Sequence, residues 1–431
     1  MIDITYDKPD ALYHVGEKAK FTVKFSSDND EPLNGIYQIK VSNDGGYEYQ
    51  KHTVTVTGPS TFTFEQGVSE PGFVRMDVTD TAQPELKSKD NDLEIAKPGG
   101  KVSAVAFDPL EIQGATPEPD CFWKFWQDEL KKTEETIPLD AKMELLPEEC
   151  DEAFNCYEVS FAAPNGRVYG FLSVPVNSGK YPVVVATHGT GPGFGEATKI
   201  EGCVCLVLNA NDYDPRTPGK TVEELFKESN TPVFHFFVGG YNPRSYYFFR
   251  SIIGMVRAIN WLAEQPYVNA AAMGYNGASQ GGGFGFYLCA LTKKFSYMVV
   301  SEPGMCDLKG RAVCQRGYGW IDYRRVFRIL DERAGKATDE KAVDLFEELY
   351  DPENFAGHIN KDCIVRCVVG FLDFACPPSG VYAAYNNLAV ADKQIFNELH
   401  ISHSGNESFD KLNLWMQEEL RKKNTQVLAE S

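Results

Sequence analysis

The stretch Met273–Ala290, MGYNGASQGGGFGFYLCA, constrains this chain more than any other. The apolar run Ala271–Tyr275 suits a buried strand, and glycines and apolar residues at helical spacing follow it. Between them stands Gly277-Ala278-Ser279-Gln280-Gly281. Strand, tight turn and helix are the setting in which G-x-S-x-G forms a nucleophile elbow. Such a turn holds its serine in strained backbone, so nothing bulky fits two residues to either side. The pattern predicts Ser279 Oγ clear of the sheet. It also places the Gln280 N–H at the helix N-terminus, where it faces a developing oxyanion. The competing reading is a glycine-rich turn around an idle serine, so the rest of the chain must be searched for a base and an acid.

At 431 residues the chain is too long for one ordinary domain, and two are expected. The formal charge of −19 argues against nucleic acid and anionic membrane surfaces as partners. It suits a neutral or cationic partner, such as an uncharged carbohydrate. No apolar run is long enough to span a bilayer. The opening MIDITYDKPD is neither a signal nor a transit peptide and leads straight into an alternating strand. A mature exported protein would read this way, so a periplasmic or secreted location is expected, with the cytoplasm as the alternative. All eleven cysteines lie from Cys121 onward, and none has metal-ligand spacing. Cys203, Cys205, Cys289 and Cys367 sit in apolar patterns and read as core thiols.

Residues 1 to about 100 alternate apolar and polar between turn signals, as in Ala19–Phe25, Gly35–Val41, Thr53–Thr57, Thr61–Phe64 and Gly72–Val78. About seven short strands without an amphipathic helix predict an immunoglobulin-like antiparallel β-sandwich. An accessory packing role is the simpler reading of it, carbohydrate binding the other. Lys97-Pro98-Gly99-Gly100 reads as its end and Gly114–Pro119 as a connector, so the expected units are residues 1–104 and 105–431. A helix from Phe122 through Lys132 follows. From about Tyr157 strands come first, then strands alternating with helices: buried strands at Val183–Thr187, Val204–Leu208, Tyr297–Val300 and Cys363–Val369, and a long helix over Tyr246–Ala263. Helical regions over Ile321–Leu349 and Val381–Leu388, a strand over Gln394–Ile401 and a helix from Phe409 complete the chain. Alternation of this kind implies a mostly parallel sheet with helices on both faces.

A serine nucleophile needs a base, and the base needs an acid, in the order Ser, Asp or Glu, His on α/β-hydrolase scaffolds. Three histidines follow Ser279. His400 falls inside the expected last strand, and His358 precedes any acid at the end of the Cys363 strand. His403 lies just past the last strand, where a loop can hang it over the elbow. Asp373 follows Val365–Val369 at the edge of the sheet where function collects. Asp362 and Asp392 read as solvated charges. The second oxyanion donor is expected from the loop after Thr187, with the Thr190 N–H favoured. His188 precedes the serine and is read as shaping that loop.

At this point the residues resemble a specific family, the acetyl xylan esterases and cephalosporin C deacetylases of carbohydrate esterase family 7. The resemblance covers roughly residues 105 to 425. It is carried by Phe122-Trp123, Tyr246-Tyr247-Phe248-Phe249-Arg250, Gly277-Ala278-Ser279-Gln280-Gly281-Gly282, and Gly370-Phe371-Leu372-Asp373-Phe374-Ala375-Cys376-Pro377-Pro378 followed by Tyr385-Asn386. Lys393 leads to His403 as the family's last strand leads to its histidine. The elbow is common among hydrolases; the Asp-x-x-Cys-Pro-Pro stretch is far more specific. The resemblance implies an α/β-hydrolase with Ser279 as nucleophile, His403 as base and then acid, and Asp373 as orienting acid. It implies removal of O-acetyl groups from small esters, acetylated sugars and xylo-oligosaccharides, with no metal or organic cofactor. An esterase of other acyl specificity and a catalytically idle carbohydrate-binding scaffold are the alternatives. Thr190 stands where the family has tyrosine, Gly254 where it has aspartate, and Ser402 where Gly-His is common. The residues before Lys97 have no counterpart in the compact members, whose ring-like hexamer is therefore not carried over. A homo-oligomer of another kind stays open.

Overall fold

The computed structural model describes residues 1–26, 34–82, 100–229, 234–317, 322–403 and 407–430. The N-terminal strands are β1 (Ile2–Tyr6), β2 (Leu12–Tyr13), β3 (Ala19–Phe25), β4 (Asn34–Ser42), β5 (Glu48–Thr57), β6 (Ser60–Gln66), β7 (Gly72–Asp80) and β8 (Lys101–Phe107). Alternation does here what it predicts. In β3, Ala19, Phe21, Val23 and Phe25 are buried, while Lys20 and Lys24 are exposed. Among the described residues the strands form two sheets, β1-β3-β6 and β2-β8-β7-β4-β5. They face one another across a core in which Phe25 meets Tyr37 at 4.7 Å between ring centroids. All pairs are antiparallel except β2 with β8.

Two features of this sandwich depart from the sequence reading. The strand β8 pairs with β7 from Gly72↔Phe107 to Val78↔Lys101, so a division between residues 104 and 105 falls inside a strand. Its run Ser103–Phe107 is buried throughout and lacks the alternation that marks the others. Residues 97–99, read as the end of the unit, lie outside the described residues. Strand β7 is also buried without a break from Phe73 to Val78. An ordinary sandwich strand wets one face. Here the outer face is covered by the C-terminal unit.

That unit holds a nine-stranded sheet with β9 (Lys142–Leu145), β10 (Phe154–Ala163), β11 (Gly166–Pro175), β12 (Tyr181–Thr187), β13 (Val204–Asn209), β14 (Val268–Ala278), β15 (Tyr297–Ser301), β16 (Ile364–Gly370) and β17 (Asp392–Glu398). The order is β17-β16-β15-β14-β12-β13-β11-β10-β9. The strands from β17 to β13 run parallel; β11, β10 and β9 pair antiparallel. The helices are α1 (Phe122–Thr136), α2 (Val222–Ser229), α3 (Tyr247–Ala263), α4 (Gln280–Thr292), α5 (Gly310–Cys314), α6 (Tyr323–Arg333), α7 (Glu340–Tyr350), α8 (Pro352–Ala356), α9 (Pro378–Asn386) and α10 (Glu407–Glu430). This is the mostly parallel sheet with flanking helices that the alternation predicts, in the α/β-hydrolase architecture that the resemblance implies.

The central strands carry unbroken apolar runs, such as Val183–Ala186, Val204–Leu208 and Tyr297–Val300, because both faces are covered. Val183 and Val185 join Ile252, Met273 and Val300 in a core under α3 and α4. Val184 points the other way, to Val207, Val299, Met416 and Leu420 beneath α10. Each such side chain, fully removed from water, contributes about 1.5–3 kcal/mol. The last strand ends at Glu398, two residues earlier than His400, which stands exposed in the following turn rather than within the sheet. All eleven cysteines are free thiols, and Cys203, Cys205, Cys289 and Cys367 are buried. No described helix is long and apolar enough to cross a membrane.

Candidate active site

The central strand β14 delivers Ser279 to the carboxyl edge of the sheet, and α4 starts at the next residue. Ser279 has φ 56° and ψ −124°, outside the ordinary regions for a residue with a side chain. Its neighbours explain why the turn is tolerated only with glycines around it. A Cβ at Gly281 would stand 2.4 Å from the Thr187 carbonyl oxygen, and one at Gly277 would stand 2.5 Å from that of Gly281. The Ser279 N–H donates to the Ser301 carbonyl at 2.9 Å, and the Gly304 N–H donates to the Ser279 carbonyl at 2.8 Å. Strain at one residue is held in place by a ring of backbone contacts.

Three side chains from three loops converge on this turn. Ser279 Oγ lies 3.0 Å from His403 Nε2, and His403 Nδ1 lies 2.8 Å from Asp373 Oδ2. His403 follows β17; Asp373 follows β16 and its side chain is wholly buried. The other oxygen of Asp373 accepts the N–H groups of Ala375 at 2.7 Å and Cys376 at 2.9 Å. Burial pushes the Asp373 carboxyl above its ordinary value, while His403 and these two N–H donors pull the other way. The Phe371 N–H donates to the Glu398 carbonyl and the Leu372 N–H to that of Ile401, which lashes the acid loop to the loop bearing His403. Hydroxyl, imidazole and carboxylate in this line can pass a proton from the hydroxyl to the imidazole as the oxygen attacks an acyl carbon.

The loop after β12 passes beside the serine. A Cβ at Gly189 would sit 3.6 Å from Ser279 Cβ, so the half-buried Thr190 follows directly from the point where this loop passes the serine. His188 holds the loop. Its Nε2 accepts the Ala210 N–H at 3.0 Å, which leaves Nδ1 to donate to the Gly189 carbonyl at 2.6 Å. Burial lowers its pKa to about 4, so the ring stays neutral, and both nitrogens are occupied. Gln280, as the first residue of α4, has a backbone N–H with no partner inside the helix. Its side-chain oxygen lies 3.2 Å from Nε2 of the buried His235. His235 has no signature in the sequence, because it precedes the serine and lies in a short 3₁₀ turn, Phe234–Phe237.

Among the described residues, Asp373, Cys376 and His403 form a group whose ligand atoms come within 4.8 Å of one another. It is poorly suited to a metal ion. Asp373 Oδ2 and His403 Nδ1 are bound to each other, and burial drives the Cys376 thiol well above its ordinary pKa, which keeps it protonated.

A sequence model of the family described as acetyl xylan esterase (AXE1) matches residues 105–419. The chain belongs to the acetyl xylan esterase family. It is a carboxylic ester hydrolase. The acetyl esterase Axe7A of Xylanibacter ruminicola is 24% identical to it over 436 residues, which cover 96% of this chain and 89% of that protein. Acetyl xylan esterase 1 from Thermoanaerobacterium sp. JW/SL YS485 superposes with a TM-score of 0.59 at 22% identity, covering 72% of this chain and 97% of its own. The acetyl xylan esterase from Paenibacillus sp. R4 gives 0.58 at 20% identity, with 72% and 98% covered. At these identities the two structures speak to the fold of this family member.

Proposed function

We propose that this acetyl xylan esterase family member removes O-acetyl groups from acetylated xylan or xylo-oligosaccharides, and from small acetyl esters, with Ser279 as nucleophile. The observation that carries this reading is the hydrogen-bonded line Ser279–His403–Asp373, at 3.0 Å and 2.8 Å. Ser279 Oγ attacks the acetyl carbonyl carbon as its proton passes to His403 Nε2, and the N–H groups of Gln280 and Thr190 hold the oxyanion. The tetrahedral species collapses, the sugar oxygen leaves with the proton from Nε2, and an acetyl-enzyme remains. Water then attacks the acetyl carbon, gives its proton to Nε2, and acetate departs with Ser279 restored. Asp373 keeps Nδ1 protonated and steadies the imidazolium. These groups complete the chemistry without a cofactor.

The negative net charge favours a neutral carbohydrate over an anionic ligand. A polysaccharide substrate is met outside the cell, and a periplasmic or secreted location goes with it. The two-sheet unit at the N-terminus is read as an accessory domain, with β8 as its last strand. The test is acetate release from acetylated xylo-oligosaccharides beside a small acetyl ester, with Ser279→Ala as control. Release from both should fall by about 10⁶-fold in the variant while its circular dichroism is unchanged. Retained turnover would overturn the assignment of Ser279, and release from the small ester alone would remove the polysaccharide.

A further inference from the structure

The N-terminal sandwich grips the loop that carries Asp373 from both sides. The buried Phe73 of β7 packs edge-on against Phe371, two residues before Asp373, at 5.1 Å between ring centroids. Two residues along the same strand, Arg75 donates through Nη1 to the Leu372 carbonyl at 3.3 Å, adjacent to Asp373. Arg75 is itself held by Asp77, Nε to Oδ1 at 3.1 Å, and both are buried. Beyond Asp373, the turn between β4 and β5 reaches across the junction. Asp44 Oδ2 accepts the Ser379 N–H at 2.9 Å, at the start of α9, where Pro377 offers no side-chain cap.

The turn is fitted to this place. Asn43 Nδ2 donates to the Gln315 carbonyl at 2.8 Å, and a Cβ at Gly45 would stand 2.5 Å from that same oxygen. Only glycine lets the two backbones approach so closely. At the far end of α9, Asn386 Nδ2 donates to the carbonyls of Pro109 and Ile112, just after β8. Within the C-terminal unit, Asp373 meets its own backbone neighbours and His403, and two backbone bonds tie the loop to the segment around His403.

We propose that the N-terminal domain is a positioning device for the catalytic acid, with Phe73, Arg75 and Asp44 fixing the segment Phe371–Ser379 so that Asp373 meets His403. The inference rests on the assignment of the Ser279–His403–Asp373 line. It separates this domain from a carbohydrate-binding appendage, which would act on KM and leave kcat alone. A misplacement of about 1 Å in such a site costs on the order of 100-fold in rate. A loosened rather than displaced loop should cost about tenfold to hundredfold in kcat.

The experiment uses the full chain and 4-nitrophenyl acetate, with kcat and KM determined separately for Arg75→Ala, Arg75→Lys, Asp44→Ala and Ser279→Ala. Arg75→Ala and Asp44→Ala are expected to lose kcat with KM unchanged, and Arg75→Lys, which keeps a charge beside Asp77 and a donor, to recover most of the loss. Removing Arg75 alone strands a buried carboxylate at Asp77. If that variant does not fold, Arg75→Ala with Asp77→Asn takes its place. Folded variants with wild-type kcat, or with only KM raised, overturn the role given to the domain. Turnover by Ser279→Ala overturns the triad itself. An inactive Ser279→Ala beside a full-speed Arg75→Ala and Asp44→Ala overturns the positioning role alone.

Discussion

Replacing Asp373 by asparagine keeps the shape of the side chain and changes one oxygen into an NH₂. Where that NH₂ goes is decided by the backbone. One carboxylate oxygen accepts from the N–H groups of Ala375 and Cys376, at 2.7 Å and 2.9 Å, and neither donor can turn away. The amide oxygen must stay there, because an NH₂ in that place would face two donors and leave all of them unpaired. The NH₂ is then delivered to His403 Nδ1, now 2.8 Å from an Asp373 oxygen. Nδ1 must accept, so the ring proton moves to Nε2. That is the nitrogen 3.0 Å from Ser279 Oγ, and once protonated it cannot take the serine proton. The expected loss in kcat for this tautomer error is about 10⁴-fold, close to 5.5 kcal/mol of barrier. Fold and substrate affinity should stay near wild type, since no contact outside the triad changes. The assay is steady-state hydrolysis of 4-nitrophenyl acetate at pH 7 to 8, with circular dichroism beside it. A loss below about tenfold would show that the orientation of His403 does not depend on Asp373, and the reasoning would fail.

Gly281→Ala puts a methyl group 2.4 Å from the Thr187 carbonyl oxygen, and backbone has to move by most of an ångström. About 100-fold in kcat and about 1–3 kcal/mol in stability should be lost together, read from kinetics and urea unfolding; an active, stable variant would mean that the elbow yields. Tyr275→Phe removes a hydroxyl bound at 2.5 Å to both Thr187 Oγ1 and the Gly281 carbonyl. Thr187 Oγ1 already lies 3.4 Å from that carbonyl and can satisfy it, so the cost in urea unfolding should be about 1 kcal/mol rather than the about 3 kcal/mol of a stranded group. Glu353 is raised to about 9 by burial first and by Asp351 and Asp307 next, so it is protonated when folded and ionised when unfolded at neutral pH. A carboxyl raised in this way stabilises fully below its unfolded pKa and loses that contribution as pH climbs towards 9. Glu353→Gln should therefore match wild type in Tm near pH 4.5 and exceed it increasingly up to pH 9; parallel Tm curves would show that Glu353 is ionised in the fold.

Much of the architecture is legible in the residues because it is written locally. Fully apolar runs such as Val183–Val185 mark strands covered on both faces, and Gly277 and Gly281 mark a turn with no room for side chains. Order along the chain then singles out His403 and Asp373, and these side chains stand within hydrogen-bond reach of Ser279 and of each other. Boundaries are less legible. The apolar and aromatic residues of Gln394–Ile401 extend the strand pattern past His400 to Ile401, whereas pairing with β16 stops at Glu398. Strand β8 hides because its inner and outer faces are both buried, so no alternation announces it. His235 and the clamp on the acid loop leave no local trace at all. Asp44 and Ser379 are 335 residues apart, and only the folded chain brings them together.

The contact between Arg75 and Leu372 spans 297 residues, which sets a clock on biosynthesis. A ribosome adding 5–20 residues per second needs about 15 to 60 s to travel from one to the other. A sandwich that folds first, as N-terminal units generally do, is complete while its covering is still unmade. Throughout that interval the outer face of β7 is bare, with Phe73 and a carboxylate–guanidinium pair that the mature protein keeps dry. The last member of the hydrogen-bonded line to be made is His403, 30 residues after Asp373.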